Sequence, residues 1–149
     1  MAGLLSPGPS RLETELLATI RQWASSPCDP FPCARDTLVY ACRVSRVAVP
    51  RLPAHGGRRD ISRVLKANGG LVAYAGTMMA QLGWETVGTP ARGDVGVVDI
   101  PAMGLTCAIC LEGPGDIADP ALWMARGDRQ LLVITAPHRQ AWSMSCPRP

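Results

Sequence analysis

Cysteine and histidine are the residues of this chain whose side chains are best suited to catalysis, and both are few. The 149 residues include six cysteines and two histidines. A thiol hydrolase holds its cysteine at the start of a buried helix, which lowers the thiol pKa, and a histidine on a facing strand accepts the proton. Cys33 lies just before a predicted helix and is the candidate nucleophile by position. The candidate bases are His55, in a glycine-rich loop, and His138, beside Pro137, and the sequence leaves both pairings with Cys33 open.

Two further cysteines, Cys107 and Cys110, have the Cys-x-x-Cys spacing of a metal site. The residues around them alternate in the way that is typical of a β-strand. Residues three apart on a strand point to opposite faces, so one zinc ion could not bind both sulfurs. We therefore expect no metal and no cofactor. The cysteines are expected to be free, buried thiols, and a Cys28–Cys33 disulfide stays open for an extracellular protein.

Composition and charge indicate one folded domain. Hydrophobic residues make up 47% of the chain and charged residues 18%, which is enough apolar surface for a core at this length. No run of eighteen apolar residues occurs, so we expect no membrane insertion, and the N-terminus lacks the pattern of a signal peptide. The net charge is +3, but the arginines are scattered and aromatic residues make up 5%. A nucleic-acid interface needs a concentrated basic patch with aromatic side chains, so nucleic acid is not an expected partner.

The apolar periodicity predicts helices in the first half of the chain and strands in the second. Ser10 and Glu13 form a capping box at the start of the first helix, and Asp36 is predicted as the N-cap of the second. A third helix is expected to end in the left-handed conformation at Asn68-Gly69-Gly70, and residues 137–142 are predicted as a final helical turn. The third helix is predicted over about residues 60–67, and a fourth over 71–82. Strands are predicted over 95–98, 105–111, 122–124 and 131–134.

This order of elements predicts an α+β domain, in which N-terminal helices pack on a small antiparallel sheet. The domain is expected to cover residues 10–142. Residues 1–9 are predicted to be an N-terminal arm, and residues 143–149 a C-terminal tail. We expect the four tryptophans to be core residues rather than an exposed interface.

Three short segments give the chain a resemblance to a known family. The second helix begins near Asp36-Thr37, a Pro-x-x-Gly-Asp segment occupies residues 90–94, and the following strand begins near Thr106. In this order the chain resembles the NlpC-like cell-wall cysteine peptidases. It is more similar still to a small family of papain-fold proteins encoded among phage and prophage tail genes. The resemblance covers roughly residues 30–142 and implies a papain-like (NlpC-type) fold.

The same resemblance implies that the catalytic residues have been replaced. Active members of the family begin the helix with Trp-Gly-x-x-Asp-Cys and the strand with His-Val-Gly-Ile. By this likeness Asp36 stands at the aspartate, Thr37 at the cysteine and Thr106 at the histidine. A chain-internal threonine is a poor nucleophile, and threonine cannot act as a general base at neutral pH. The resemblance therefore implies a pseudo-enzyme with no catalytic residue, in which Asp36 still caps the helix.

From this resemblance we expect a structural component of a phage or phage-like tail, in the tip or baseplate region. It would be assembled in the bacterial cytoplasm and located in the virion. The expected partners are other tail and baseplate proteins, contacted through the terminal arms, with peptidoglycan as a further candidate. Two alternatives stay open. One is an active peptidoglycan amidase or endopeptidase that uses Cys33, and the other is a peptidoglycan-binding module without catalysis.

Overall fold

The computed structural model describes residues 10–25, 33–49, 63, 65–67, 69–101, 103–116, 119–126 and 131–144, without the side chain of Cys33. Its longer helices come first along the chain, as α1 (Arg11–Ser25), α2 (Cys33–Ser45) and α3 (Leu71–Gln81). The strands follow, as β1 (Glu85–Val87), β2 (Val95–Ile100), β3 (Gly104–Glu112), β4 (Leu122–Arg126), β5 (Leu131–Thr135) and β6 (His138–Ser143). Residues 63 and 65–67 are also helical.

The strands form one antiparallel sheet in the order β1-β6-β2-β3-β4-β5. At its centre β2 and β3 pair as a hairpin, in a register that places Val97 opposite Cys107 and Val98 opposite Thr106. The last strand, β6, inserts between β1 and β2 and pairs with both. Helix α2 packs against β3, so the head of α2 lies over the middle of the sheet.

The helix ends use the local signals that the sequence predicts. The N–H of Glu13 donates to the Ser10 hydroxyl at 3.1 Å, which confirms the predicted start of α1. The Glu13 carboxylate does not return to the cap but binds Arg92 at 2.8 Å. After the short helical segment, Gly69 has a φ of +83° and the N–H of Gly70 donates to the carbonyl of Leu65 at 2.7 Å. This left-handed stop is also as predicted.

Both faces of the sheet are buried. On one face a helix-side cluster joins the sheet to the helices, and on the other a far-side cluster is centred on Trp123. Alternate strand residues divide between the two, since Cys107 belongs to the helix-side cluster and Cys110 to the far-side cluster. The opposite orientation of these two cysteines is therefore confirmed. The tryptophans, predicted to be core residues, are all buried at 3% exposure or less: Trp23, Trp84, Trp123 and Trp142.

The α+β class is confirmed, and the sheet differs from the sequence prediction in several places. Residues 138–143 form a strand rather than a helical turn, because they gain backbone partners on two sides, from β1 and β2. The short strand β1 was not predicted, since three residues carry too little pattern. Ser143 ends β6 and so belongs to the sheet. The predicted arm, residues 1–9, and residues 145–149 of the predicted tail lie outside the described residues. Among the described helices, none is long and apolar enough to cross a membrane.

Candidate functional site

The head of α2 is where the sequence predicts chemistry, and its first residue is Cys33. Asp36 therefore lies inside the first turn, three residues after the helix start, and is not the N-cap that the sequence predicted. The prediction failed because the acidic residue was taken to mark the helix start, whereas a carboxylate is equally favourable anywhere in the first turn. The side chain of Cys33, the candidate nucleophile, lies outside the described atoms.

Asp36 has a different partner, a buried arginine from the sheet. The guanidinium of Arg126, at the end of β4, donates from Nη1 to Oδ2 of Asp36 at 3.2 Å. The side chain of Arg126 is 6% exposed and that of Asp36 is 24% exposed. The guanidinium carbon also lies 5.9 Å from the centre of the Trp23 ring, within the range of a cation–π contact. The head of α2 is thus tied to the sheet and to α1 by one buried cation.

Thr37, one residue further on, presents a buried hydroxyl without a partner. The residue is 2% exposed, and its Oγ1 makes no hydrogen bond. A hydroxyl becomes a nucleophile only when a base accepts its proton. Among the described residues no acceptor lies within hydrogen-bond distance of the Thr37 hydroxyl.

Thr106 lies on the other side of the sheet from α2. Its neighbour Cys107 belongs to the helix-side cluster, whereas Ala108 and the cross-strand partner Val98 belong to the far-side cluster. Since strand residues alternate between faces, Thr106 faces the far side. Its hydroxyl donates to the carbonyl of Gly104 at 3.2 Å. The structure therefore does not bring Thr37 and Thr106 together on one face.

Cys107 and Ile109 are the buried β3 residues that share the helix-side face with α2. Ile109 of β3 pairs with Met124 of β4. Cys107 lies two residues before Ile109 on β3, and Arg126 lies two residues after Met124 on β4. The antiparallel register therefore sets Cys107 and Arg126 side by side on the helix-side face. The sequence analysis missed Arg126. The signal in the sequence was an arginine directly after the apolar residues 122–125. A charge buried at the end of such a strand requires a carboxylate partner.

The other described cysteines are poor nucleophiles because they are buried. Burial raises the pKa of the Cys42 thiol above its usual range. Burial, together with the nearby charge of Asp94, raises the pKa of Cys110 to about 12. Thiols with such raised pKa values stay protonated at neutral pH, and the thiolate is the reactive form.

His138, a predicted candidate base, is engaged on the far side of the sheet. It pairs with Val98 across β2 and β6, and its ring lies 6.2 Å from that of Trp123. Its Nε2 is 3.0 Å from the carbonyl oxygen of Gly88, a distance at which the ring nitrogen donates. It therefore does not face α2. The other candidate base, His55, lies outside the described residues.

The Pro-x-x-Gly-Asp segment, residues 90–94, is a structural junction. Asp94 is 3% exposed, and its Oδ2 accepts the N–H of Ala91 at 2.8 Å. The hydroxyl of Tyr40 on α2 donates to the carbonyl of Gly93 at 2.7 Å. Gly93 has a φ of +92°, and a side chain there would clash with Leu12 of α1. The segment thus joins α1 and α2 to the start of β2.

Burial also controls the ionisation of this junction. It raises the pKa of Asp94, while hydrogen bonds from the Ala91 N–H and the Ser143 side chain oppose the rise. Burial and the charge of Asp94 raise the pKa of Tyr40, so the phenol remains a donor. Hydrogen bonds from Arg92 lower the pKa of Glu13. These groups hold α1 and α2 to the start of β2.

A shallow groove lies between α1 and α2, beside the ion pair. Its volume is about 170 Å³, and Asp36 and Tyr40 contribute to its lining. Thr37 is not part of that lining, so its hydroxyl does not open into the groove. Within the described part of the chain, no cluster of three or more His, Cys, Asp or Glu side chains is suited to hold a metal ion.

Comparisons with protein-family models, with curated proteins and with solved structures give no match for this chain. The likeness to the NlpC-like peptidases therefore stands on the residues of the sequence.

Proposed function

We propose that this chain is a structural component of a phage or phage-like tail, in the tip or baseplate region, built on a catalytically inactive papain-like (NlpC-type) scaffold. The absence of catalysis is supported by the hydroxyl of Thr37, which is buried and has no hydrogen-bond partner among the described residues. The tail assignment rests on the resemblance to papain-fold proteins of phage and prophage tails.

The order and packing of the elements support the scaffold. A papain-like hydrolase presents the head of a buried helix to an antiparallel sheet, and here α2 packs on β3 of such a sheet. The Pro-x-x-Gly-Asp segment leads into β2, and β3 follows as the second strand of the hairpin. This is the sequence of elements that the resemblance implies.

The electrostatics at the head of α2 support the loss of chemistry. A catalytic pair needs a group that accepts a proton, and one described side chain that binds Asp36 there is the guanidinium of Arg126. Arginine remains protonated in proteins and cannot serve as a base. Thr37 and Thr106 also lie on opposite sides of β3, so they cannot act on one substrate bond.

The partners that this role requires are other tail and baseplate proteins in the virion. Mass spectrometry of tail particles purified from the producing bacterium tests it. We expect the chain in intact particles, at a constant ratio to other tail proteins through successive density gradients. A chain that stays in the soluble fraction and is absent from intact particles would overturn the tail assignment. Release of peptidoglycan fragments that depends on Cys33 would instead support the enzyme.

A further inference from the structure

The outer edge of the sheet at β5 is unpaired among the described strands. Among the described strands, β5 pairs with β4 alone and ends the sheet. The pairing runs without interruption from Leu122 opposite Thr135 to Arg126 opposite Leu131. A regular edge strand of this kind presents a row of backbone N–H and C=O groups on its open side. We propose that β5 pairs with β5 of a second copy of this chain, in antiparallel orientation about a two-fold axis at Val133.

The side chains of β5 lack the features that normally protect an edge. Its five residues are Leu-Leu-Val-Ile-Thr, with no charge and no proline, and Val133 is 48% exposed. The opposite edge, β1, is protected, because it has three residues and begins with an exposed Glu85. Protein sheets usually block an edge by shortness, charge, proline or a bulge. At β5 none of these is used within the strand, so this edge, rather than β1, is the one available for pairing.

The sequence of β5 is self-complementary, and this favours a second copy over a different strand. A two-fold axis at Val133 sets Val133 against its counterpart and Leu132 against Ile134 of the second copy. Leu132 and Ile134 already pack against the far-side cluster, so the pairing would continue that apolar layer from one molecule into the next. Apolar cross-strand pairs of this kind stabilise a sheet, and an isologous contact closes as a dimer.

The expected dimer is reversible. Five residues of edge pairing bury less surface than the roughly 1,200 Å² of the smallest stable interfaces, so we expect weak association. Such a contact becomes significant where copies are held at high local concentration. This inference does not depend on the tail assignment, since self-association is measured on the purified chain.

Sedimentation velocity of the full chain over a wide concentration range tests the dimer. We expect a monomer–dimer equilibrium, and we expect V133K to weaken it at least tenfold, because two like charges then face each other across the axis. V47K is the matched control, since Val47 lies after α2 and is 47% exposed, and it should leave the equilibrium unchanged. Circular dichroism of each variant confirms that the fold is retained.

Variants of opposite charge at Val133 show whether weaker association comes from repulsion across the two-fold axis or only from the loss of an apolar side chain. V133E alone should be as monomeric as V133K, whereas an equimolar mixture of the two should recover a mixed dimer. Three results would overturn the proposal. One is an unmodified chain that stays monomeric throughout, another is equal weakening by V47K, and the third is a V133K and V133E mixture that does not associate.

Discussion

Thr37 and Thr106, which the resemblance to the NlpC-like peptidases places at the catalytic positions, differ in their hydrogen bonding. Thr37 has a buried hydroxyl without a hydrogen bond, whereas the Thr106 hydroxyl donates to the Gly104 carbonyl. An unpaired buried hydroxyl is unfavourable, while a paired one contributes modestly to stability. The Thr37 hydroxyl thus contributes no hydrogen bond to stability among the described residues.

Replacement of each threonine by valine should consequently have opposite effects. Valine keeps the shape and removes the hydroxyl, so T37V should raise the free energy of unfolding by about 0.5–1.5 kcal/mol, and T106V should lower it by about the same amount. Urea unfolding followed by tryptophan fluorescence measures both. Destabilisation by T37V would show that its hydroxyl has a partner in solution, and would remove the main argument for a sealed site.

Asp36 matters through Arg126. In D36N the buried guanidinium loses its carboxylate, and breaking a buried pair in this way costs about 2–4 kcal/mol of unfolding free energy. D99N is the matched control, because Asp99 pairs with Arg139 at 3.5 Å where both side chains are exposed, and exposed pairs contribute about 0.5 kcal/mol. If chemical unfolding shows equal effects for D36N and D99N, Asp36 is not the counter-ion of a buried charge.

At the scale of the elements, the sequence predicts what local signals determine. The cap at Ser10, the stop at Gly69 and the main strands follow from side chains within a few residues of the element. The strand at 138–143 was mistaken for a helical turn because its partners, β1 and β2, are distant in sequence. The prediction of Asp36 as the N-cap of α2 was wrong for a related reason. Asp36 forms an ion pair with Arg126 on β4, which is distant in sequence.

The junction over residues 90–94 should give stability a pH dependence with two opposed parts. The folded-state pKa of Asp94 is raised, so its contribution is present at low pH and is lost as the pH rises through that value. The folded-state pKa of Glu13 is lowered, so its contribution is present at neutral pH and is lost as the pH falls through that value.

Paired variants separate the two contributions. As the pH falls from 7 towards 4, the unmodified chain should gain stability relative to D94N, and as the pH falls below about 4.5 it should lose stability relative to E13Q. Thermal unfolding in a pH series measures both differences. A stability gap to D94N that stays constant with pH would contradict a raised pKa at Asp94, and a constant gap to E13Q would contradict the pairing with Arg92.

At the scale of the whole molecule, the fold is a sheet buried on both faces, with the α2 head held by contacts from α1 and β4. The candidate site was predicted only in part. The sequence predicted that Thr37 lies at the head of a buried helix, and in the structure Thr37 lies in the first turns of α2 and is 2% exposed. The opposite orientation of Thr106 and the proximity of Cys107 to Arg126 depend on strand register, which no single segment specifies.

The proposed absence of thiol chemistry can be measured on isolated peptidoglycan. The unmodified chain and C33S are each incubated with purified sacculi at neutral pH, and released fragments and new amino termini are quantified by mass spectrometry. We predict no release above the protein-free control for either protein, because the described side chains at the head of α2 include the buried hydroxyl of Thr37 and the cation of Arg126 at the positions where the resemblance would require a thiol and a base. Release of stem peptides by the unmodified chain that C33S abolishes would contradict the inactive scaffold and establish Cys33 as a nucleophile.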